Sequence, residues 1–118
     1  MDIEGLLPSI PTPTAEEMDR RRTSARRYAL VFLRRGPASR ETPDYEQIHL
    51  RHLQHLTKLQ MIGKLILNGP TLSDHEISGV SVYDADPDEA RALAEADPKV
   101  RSGHLTAEVI PWIAVPSA

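Results

Sequence analysis

Apolar and polar positions alternate along this chain in two rhythms, one near 3.6 residues and one of two, and the changes between them mark its elements. The longer rhythm is clearest from Tyr45 to Gly63. On a wheel of about 100° per residue, Ile48, Leu56, Leu59, Ile62 and Gly63 gather on one side, with Leu53 at its margin. Thr42-Pro43-Asp44 opens this helix, and Gly63, with Lys64 beside it, closes it as a C′ glycine. His52 falls near the middle of the apolar side, flanked at roughly 60° by His49 and His55. Leucine or isoleucine is the ordinary occupant of such a place. A histidine there needs a buried partner or a chemical task.

Runs of strand length surround this helix. Tyr28 to Leu33 is rich in β-formers and ends at Arg34-Arg35-Gly36-Pro37. Leu65-Ile66-Leu67 is a second run, broken by Asn68-Gly69-Pro70. In a third, Gly79 to Tyr83, Val80 and Val82 alternate with Ser81 and Tyr83, as a sheet with one buried face requires. Asp86-Pro87-Asp88-Glu89 then starts a helix, with Asp at N-cap and Pro at N1. It runs to about Ala96, and its apolar face of Ala90, Leu93 and Ala94 leads on to Asp97. Pro98 disfavours helical geometry at Asp97, so this carboxylate sits where the helix ends. A loop through Gly103 precedes a last strand, roughly Leu105 to Val115, whose Pro111 implies an edge or a bulge.

The order β-α-β-β-α-β predicts an α+β fold of ferredoxin-like type, with two helices on one face of a four-stranded antiparallel sheet. So small a chain leaves the other face bare, and an exposed apolar sheet implies a partner, here a second copy in a homodimer. Residues 1–26 stand apart as an N-terminal arm, and 27–118 form the domain. Pro8, Pro11 and Pro13 make the first part of the arm irregular, from Met1 to about Pro13. Thr14 and Glu17 then have capping-box spacing ahead of a short helix from Ala15 to about Ala25.

Composition narrows the function. A chain of 118 residues holds one core, and aromatic residues are only 4% of it, so aliphatic side chains must fill that core. The net charge of −3 gives no overall pull toward nucleic acid or an anionic membrane. The Arg20-Arg21-Arg22 and Arg26-Arg27 clusters lack interleaved aromatics, so a solvated helix face explains them better than a nucleic-acid arm. There are no cysteines, which removes thiol nucleophiles and thiolate metal sites. No run reaches the ~20 apolar residues of a membrane span. The stretch after the paired arginines is too short for an export signal, and the expectation is a cytoplasmic protein.

His52 and Asp97 are the two ionisable groups that interrupt the inward faces of the two helices, and both helices lie on one side of the sheet. A buried carboxylate accepting from one imidazole nitrogen fixes the tautomer and raises the basicity of the other nitrogen. That arrangement suits a general base that removes a proton beside a carbonyl and returns it. A purely structural His–Asp bond is the alternative. His49, His52 and His55 fan across roughly 120°, too wide for one metal ion without further ligands. No metal or organic cofactor is expected. Asn68, Tyr83 and His104 are candidates for lining a substrate pocket, although a hairpin role for Asn68 and a packing role for Tyr83 are the commoner explanations.

His52 to Pro70, HLQHLTKLQMIGKLILNGP, resembles the signature of the YCII-related family: a helix histidine, a terminating glycine, an apolar strand and Gly-Pro. Gly79 to Tyr83, the stretch Glu89 to Ala94 with Asp97-Pro98, Gly103, and Val109-Ile110-Pro111-Trp112 resemble the rest of that family's pattern. The resemblance covers Tyr28 to about Val115 and leaves the arm outside. It implies a dimeric α+β barrel, with a pocket holding a His–Asp pair carried here by His52 and Asp97. It also implies kinship with lyases, including a dehydrochlorinase of aromatic degradation, and a fold like that of muconolactone isomerase.

Three functions follow. The first is a small-molecule lyase or isomerase working through His52 and Asp97, on cyclic or aromatic-derived substrates. The second is a non-catalytic ligand-binding or accessory domain, and the third, far behind, a nucleic-acid binder using the arginine arm. An open cavity beside a bonded His52 favours the first; a filled core favours the second.

Overall fold

The computed structural model describes residues 2–117. The chain divides into two compact units, residues 27–113 and the N-terminal segment to Arg26 with the residues from Ala114 onward. The smaller unit contains α1, Ile3–Ser9, and α2, Ala15–Thr23, and neither helix buries a residue. The second is capped as its Thr14-to-Glu17 spacing predicts, Glu17 N donating to Thr14 Oγ1 at 3.1 Å. The first corrects the expectation of an irregular start. Asp2 supplies an N-cap by accepting from Gly5 N at 3.0 Å, and Pro8 lies so near the helix end that little remains to break.

In the larger unit, β1 (Arg26–Arg35), β2 (Leu65–Pro70), β3 (Ile77–Tyr83) and β4 (Leu105–Ala114) form an antiparallel sheet in the order β2-β3-β1-β4. Helices α3 (Tyr45–Met61), α4 (Pro87–Glu95) and α5 (Pro98–Arg101) complete a ferredoxin-like α+β fold. The register sets Ala29 opposite Tyr83, Val31 opposite Ser81 and Leu33 opposite Gly79. On the far side of β3, Leu65 faces Tyr83 and Asn68 faces Ser81, with a bulge between Leu65 and Leu67. Among the described residues no helix is long and apolar enough to cross a membrane.

Alternation decides what each face carries. Ala29, Val31, Leu33, Leu65, Tyr83 and Leu105 pack with Leu56, Leu59, Ala90 and Ala94 to form the core. On β3 the buried side is the one holding Gly79, Ser81 and Tyr83, while Val80 and Val82 are half-buried on the opposite face. There they pair with Phe32 and Leu30 of β1, and Leu67 of β2 follows in the same row. Tyr28 and Trp112 rings meet on this open face at 6.2 Å, and Arg34 bridges Glu76 and Glu108.

Beyond shifts of about two residues at the ends of β1, α2 and β3, the elements around the site differ from expectation as follows. Helix α3 ends at Met61, so Ile62 has already left the helical path and is 68% exposed instead of facing the core. Gly63 follows with φ +78, the left-handed residue that stops the helix. The β2 strand continues through Asn68-Gly69-Pro70, because it is an edge strand where a missing amide is tolerated. The span between Pro98 and Gly103 is not an open loop but contains α5, started by Asp97 at its N-cap.

Beyond β1 the chain presses against the turn before β4. Gly36 N donates to the His104 carbonyl at 2.8 Å and Ala38 N to the Gly103 carbonyl at 3.0 Å. A Cβ on Gly36 would stand 2.1 Å from the Gly103 carbonyl oxygen, whereas one on Gly69 would meet nothing within 4 Å. Gly36→Ala is therefore expected to destabilise the protein by about 1–3 kcal/mol in urea unfolding. Gly69→Ala should stay within about 0.5 kcal/mol of wild type.

Candidate active site

The buried stripe of α3 is His52, Leu56 and Leu59, spaced four and three apart, so helix geometry alone turns His52 toward the sheet. Asp97 is delivered by the joint between α4 and α5. Its amide donates to the Ala94 carbonyl at 3.1 Å, closing α4, while its side chain caps α5 by accepting from Lys99 N at 2.9 Å. The cap leaves Oδ2 to face α3, where it lies 2.6 Å from His52 Nδ1. Asp97 is 2% exposed and His52 8%.

A carboxylate can only accept, so Nδ1 carries the proton and Nε2 keeps its lone pair. Among the described residues Nε2 has no hydrogen-bond partner. Among the described residues no sealed side-chain nitrogen or oxygen lacks a partner, so Nε2 is open to the space it lines. That space is a cavity of about 510 Å³, within the range of small-molecule sites. Leu33, Leu53, Leu56 and Leu105 supply apolar wall, and Asn68, Ser78 and Ser81 supply polar groups. Arg35, Arg40 and Lys99 bring permanent positive charge, against which Asp74 is the one carboxylate on the wall among the described residues.

The other candidates separate. Asn68 lines the cavity and accepts from Gln60 Nε2 at 2.9 Å, so it joins β2 to α3 and faces the site as well. Tyr83 is 2% exposed and packs in the core, away from the cavity wall. Burial, with the nearby Asp97 charge, pushes its phenol up to about 12, so it stays protonated. His104 is also buried and off the wall: Nε2 donates to the Ser39 carbonyl at 2.8 Å and Nδ1 accepts from the Ser102 hydroxyl at 2.6 Å. It fastens two connecting segments instead of meeting a ligand.

The three α3 histidines take three roles. His55 Nε2 donates to the Leu93 carbonyl at 2.9 Å and ties α3 to α4. His49 stays on the exposed rim of the cavity, stacked on Tyr45 with ring centres 6.2 Å apart. Partial desolvation lowers its pKa, helped by the positive charges of Lys99 and Arg40. Among the described residues no three His, Asp or Glu side chains converge as a metal ion would need.

Lys99 is the residue that sequence reasoning missed. It is 7% exposed, lines the cavity, and holds its ammonium 5.2 Å from the centre of the Tyr45 ring. The signal was present in Asp97-Pro98: an N-cap Asp followed by Pro at N1 marks a new helix start as well as the end of the old one.

Residues 28–113 match the YCII-related domain, and the chain belongs to that family. Among solved structures it is similar to 5-chloro-2-hydroxyhydroquinone dehydrochlorinase from Burkholderia phenoliruptrix, solved in complex with 2,5-dihydroxybenzoquinone. The two are 22% identical over 72% of this chain and 92% of that one, with a TM-score of 0.56, a likeness of fold. A protein of unknown function from Rhodopseudomonas palustris aligns over 91% of this chain and 96% of its own at 16% identity, but its TM-score is only 0.33. No curated protein sequence matches the chain.

The tautomer is directly observable. Long-range ¹H–¹⁵N spectra of the neutral protein should show His52 protonated at Nδ1, and Asp97→Ala should release it to the mixture of tautomers seen for a free imidazole.

Proposed function

We propose that this chain is a small-molecule lyase or isomerase in which His52 is the general base and Asp97 its positioning partner. The observation that carries this reading is the unpartnered Nε2 of a buried histidine, open to a cavity of about 510 Å³ while Nδ1 is held by a carboxylate at 2.6 Å. A base in this setting takes a proton from a carbon beside a carbonyl, and the electrons of the C–H bond move into a new double bond. In an elimination a leaving group departs with its own electron pair. In an isomerisation the imidazolium returns the proton at another carbon. Either way the imidazolium is met at once by the Asp97 carboxylate, so the charge formed by proton transfer is paired without rearrangement. A dehydrochlorinase of the same fold, solved with a dihydroxybenzoquinone, supports a cyclic or aromatic-derived substrate.

His52→Ala is expected to lower turnover by ~10²–10⁴-fold with the fold retained, read by kinetics beside circular dichroism. Asp97→Asn should cost less, because the imidazole remains. Full turnover in a folded His52→Gln protein would defeat the assignment of the base.

A second copy covering the open face of the sheet belongs to the same proposal. Leu67 and Trp112 stand 67% and 41% exposed there, beside half-buried Leu30, Phe32, Val80 and Val82, an apolar surface unusual for a sheet facing water. Sheet-to-sheet pairing, as the family resemblance implies, would bury it. Light scattering at micromolar concentration should give twice the chain mass; a monomer would exclude that pairing.

A further inference from the structure

Burying an ammonium group is costly, and proteins ordinarily place a carboxylate beside it. Lys99 has none: among the described residues no acidic side chain pairs with its ammonium, which stands over the face of the Tyr45 ring. Lys99 lines the cavity, and its ammonium is not sealed from solvent, because among the described residues no sealed side-chain nitrogen or oxygen lacks a partner. Arg35 and Arg40 add two further cations to the same wall, and among the described residues Asp74, its one carboxylate, forms no ion pair. All this occurs in a chain of net charge −3, so the positive sign belongs to the cavity and not to the protein at large. The same cavity is also lined by aliphatic side chains, Leu33, Leu56 and Leu105.

We infer that the cavity is built for a small organic anion, whose carboxylate or enolate oxygen contacts Lys99 and whose hydrocarbon part lies against the leucine wall. The inference rests on the proton-transfer reading for its purpose, since an anion held at Lys99 sets the remainder of the molecule beside His52 Nε2. Its binding chemistry stands apart from that reading. The depressed pKa of His49 agrees with it, since partial desolvation is joined there by the positive charges of Lys99 and Arg40.

Benzoate, benzamide and inorganic phosphate serve as probes with the full-length protein, their binding followed through the His49 and His52 ring signals. Benzoate should bind, shift both rings and raise the pKa of His49, while benzamide, of equal shape and no charge, should bind at least about tenfold more weakly. Phosphate should bind more weakly than benzoate, having nothing to place against the leucines. Lys99→Met should weaken benzoate by at least about tenfold, leave benzamide unchanged and raise the His49 pKa of the free protein. Arg40→Gln, on an exposed side chain, should give a smaller loss in the same direction. Benzamide binding as tightly as benzoate, phosphate binding as tightly as benzoate, or a folded Lys99→Met protein that binds benzoate like wild type would each overturn the inference. His52→Gln separates the two readings. Retained benzoate binding with retained turnover removes the base and leaves the anion site, whereas lost turnover in His52→Ala with no benzoate binding by wild type removes only the anion site.

Discussion

The hydrogen bond between His52 Nδ1 and Asp97 Oδ2 joins the two halves of the helical layer, and most of what lies above the sheet is positioned by it. Apolar packing alone would hold α3 to α4 and α5 weakly, because α4 offers chiefly the small side chains Ala90 and Ala94 as its buried face. The bond adds direction to that contact. Both partners are buried, so loss of either would leave the other without its water and without its mate, at a cost of ~1–3 kcal/mol. The carboxylate is fully employed, one oxygen capping α5 and the other holding the imidazole. His55 repeats the connection beside it, from α3 to the Leu93 carbonyl.

Charge is sorted just as firmly as hydrophobicity. Asp97 lies behind His52 and off the cavity wall, so its negative charge supports the ring without facing a ligand. Tyr83, beneath it, remains a neutral phenol because burial and the Asp97 charge both oppose ionisation. The cations stand on the other side, at the cavity. A negative group behind the imidazole and the basic groups of the cavity wall form a gradient across His52, although Asp74 also lies on that wall.

Much of this was legible before any coordinates. The wheel of α3 singled out His52, the helix-start and helix-stop residues around α4 led to Asp97, and the order of elements named the fold, since each rests on local periodicity or capping chemistry. What escaped was set by tertiary context or by elements too short to have a period. Helix α1 depends on a cap at Asp2 in a proline-rich stretch, and α5 is four residues long, too short for a period that would give Lys99 a face. Ile62 fitted the wheel but lay one residue beyond its end. Tyr83 and His104 carry polar atoms that suggested a pocket, yet one is held in the core and the other by Ser39 and Ser102, contacts distant in sequence or hidden in a turn.

The helix-facing side of β3 offers Gly79 and Ser81 where a strand beneath two helices would ordinarily present branched aliphatic residues, and both border the cavity. The room in the cavity thus comes from what the strand withholds, while the His52–Asp97 pair comes from the helices. Side chains exchanged on β3 can enlarge or shrink the chamber without disturbing the histidine, so the same His52–Asp97 pair can border cavities of very different girth.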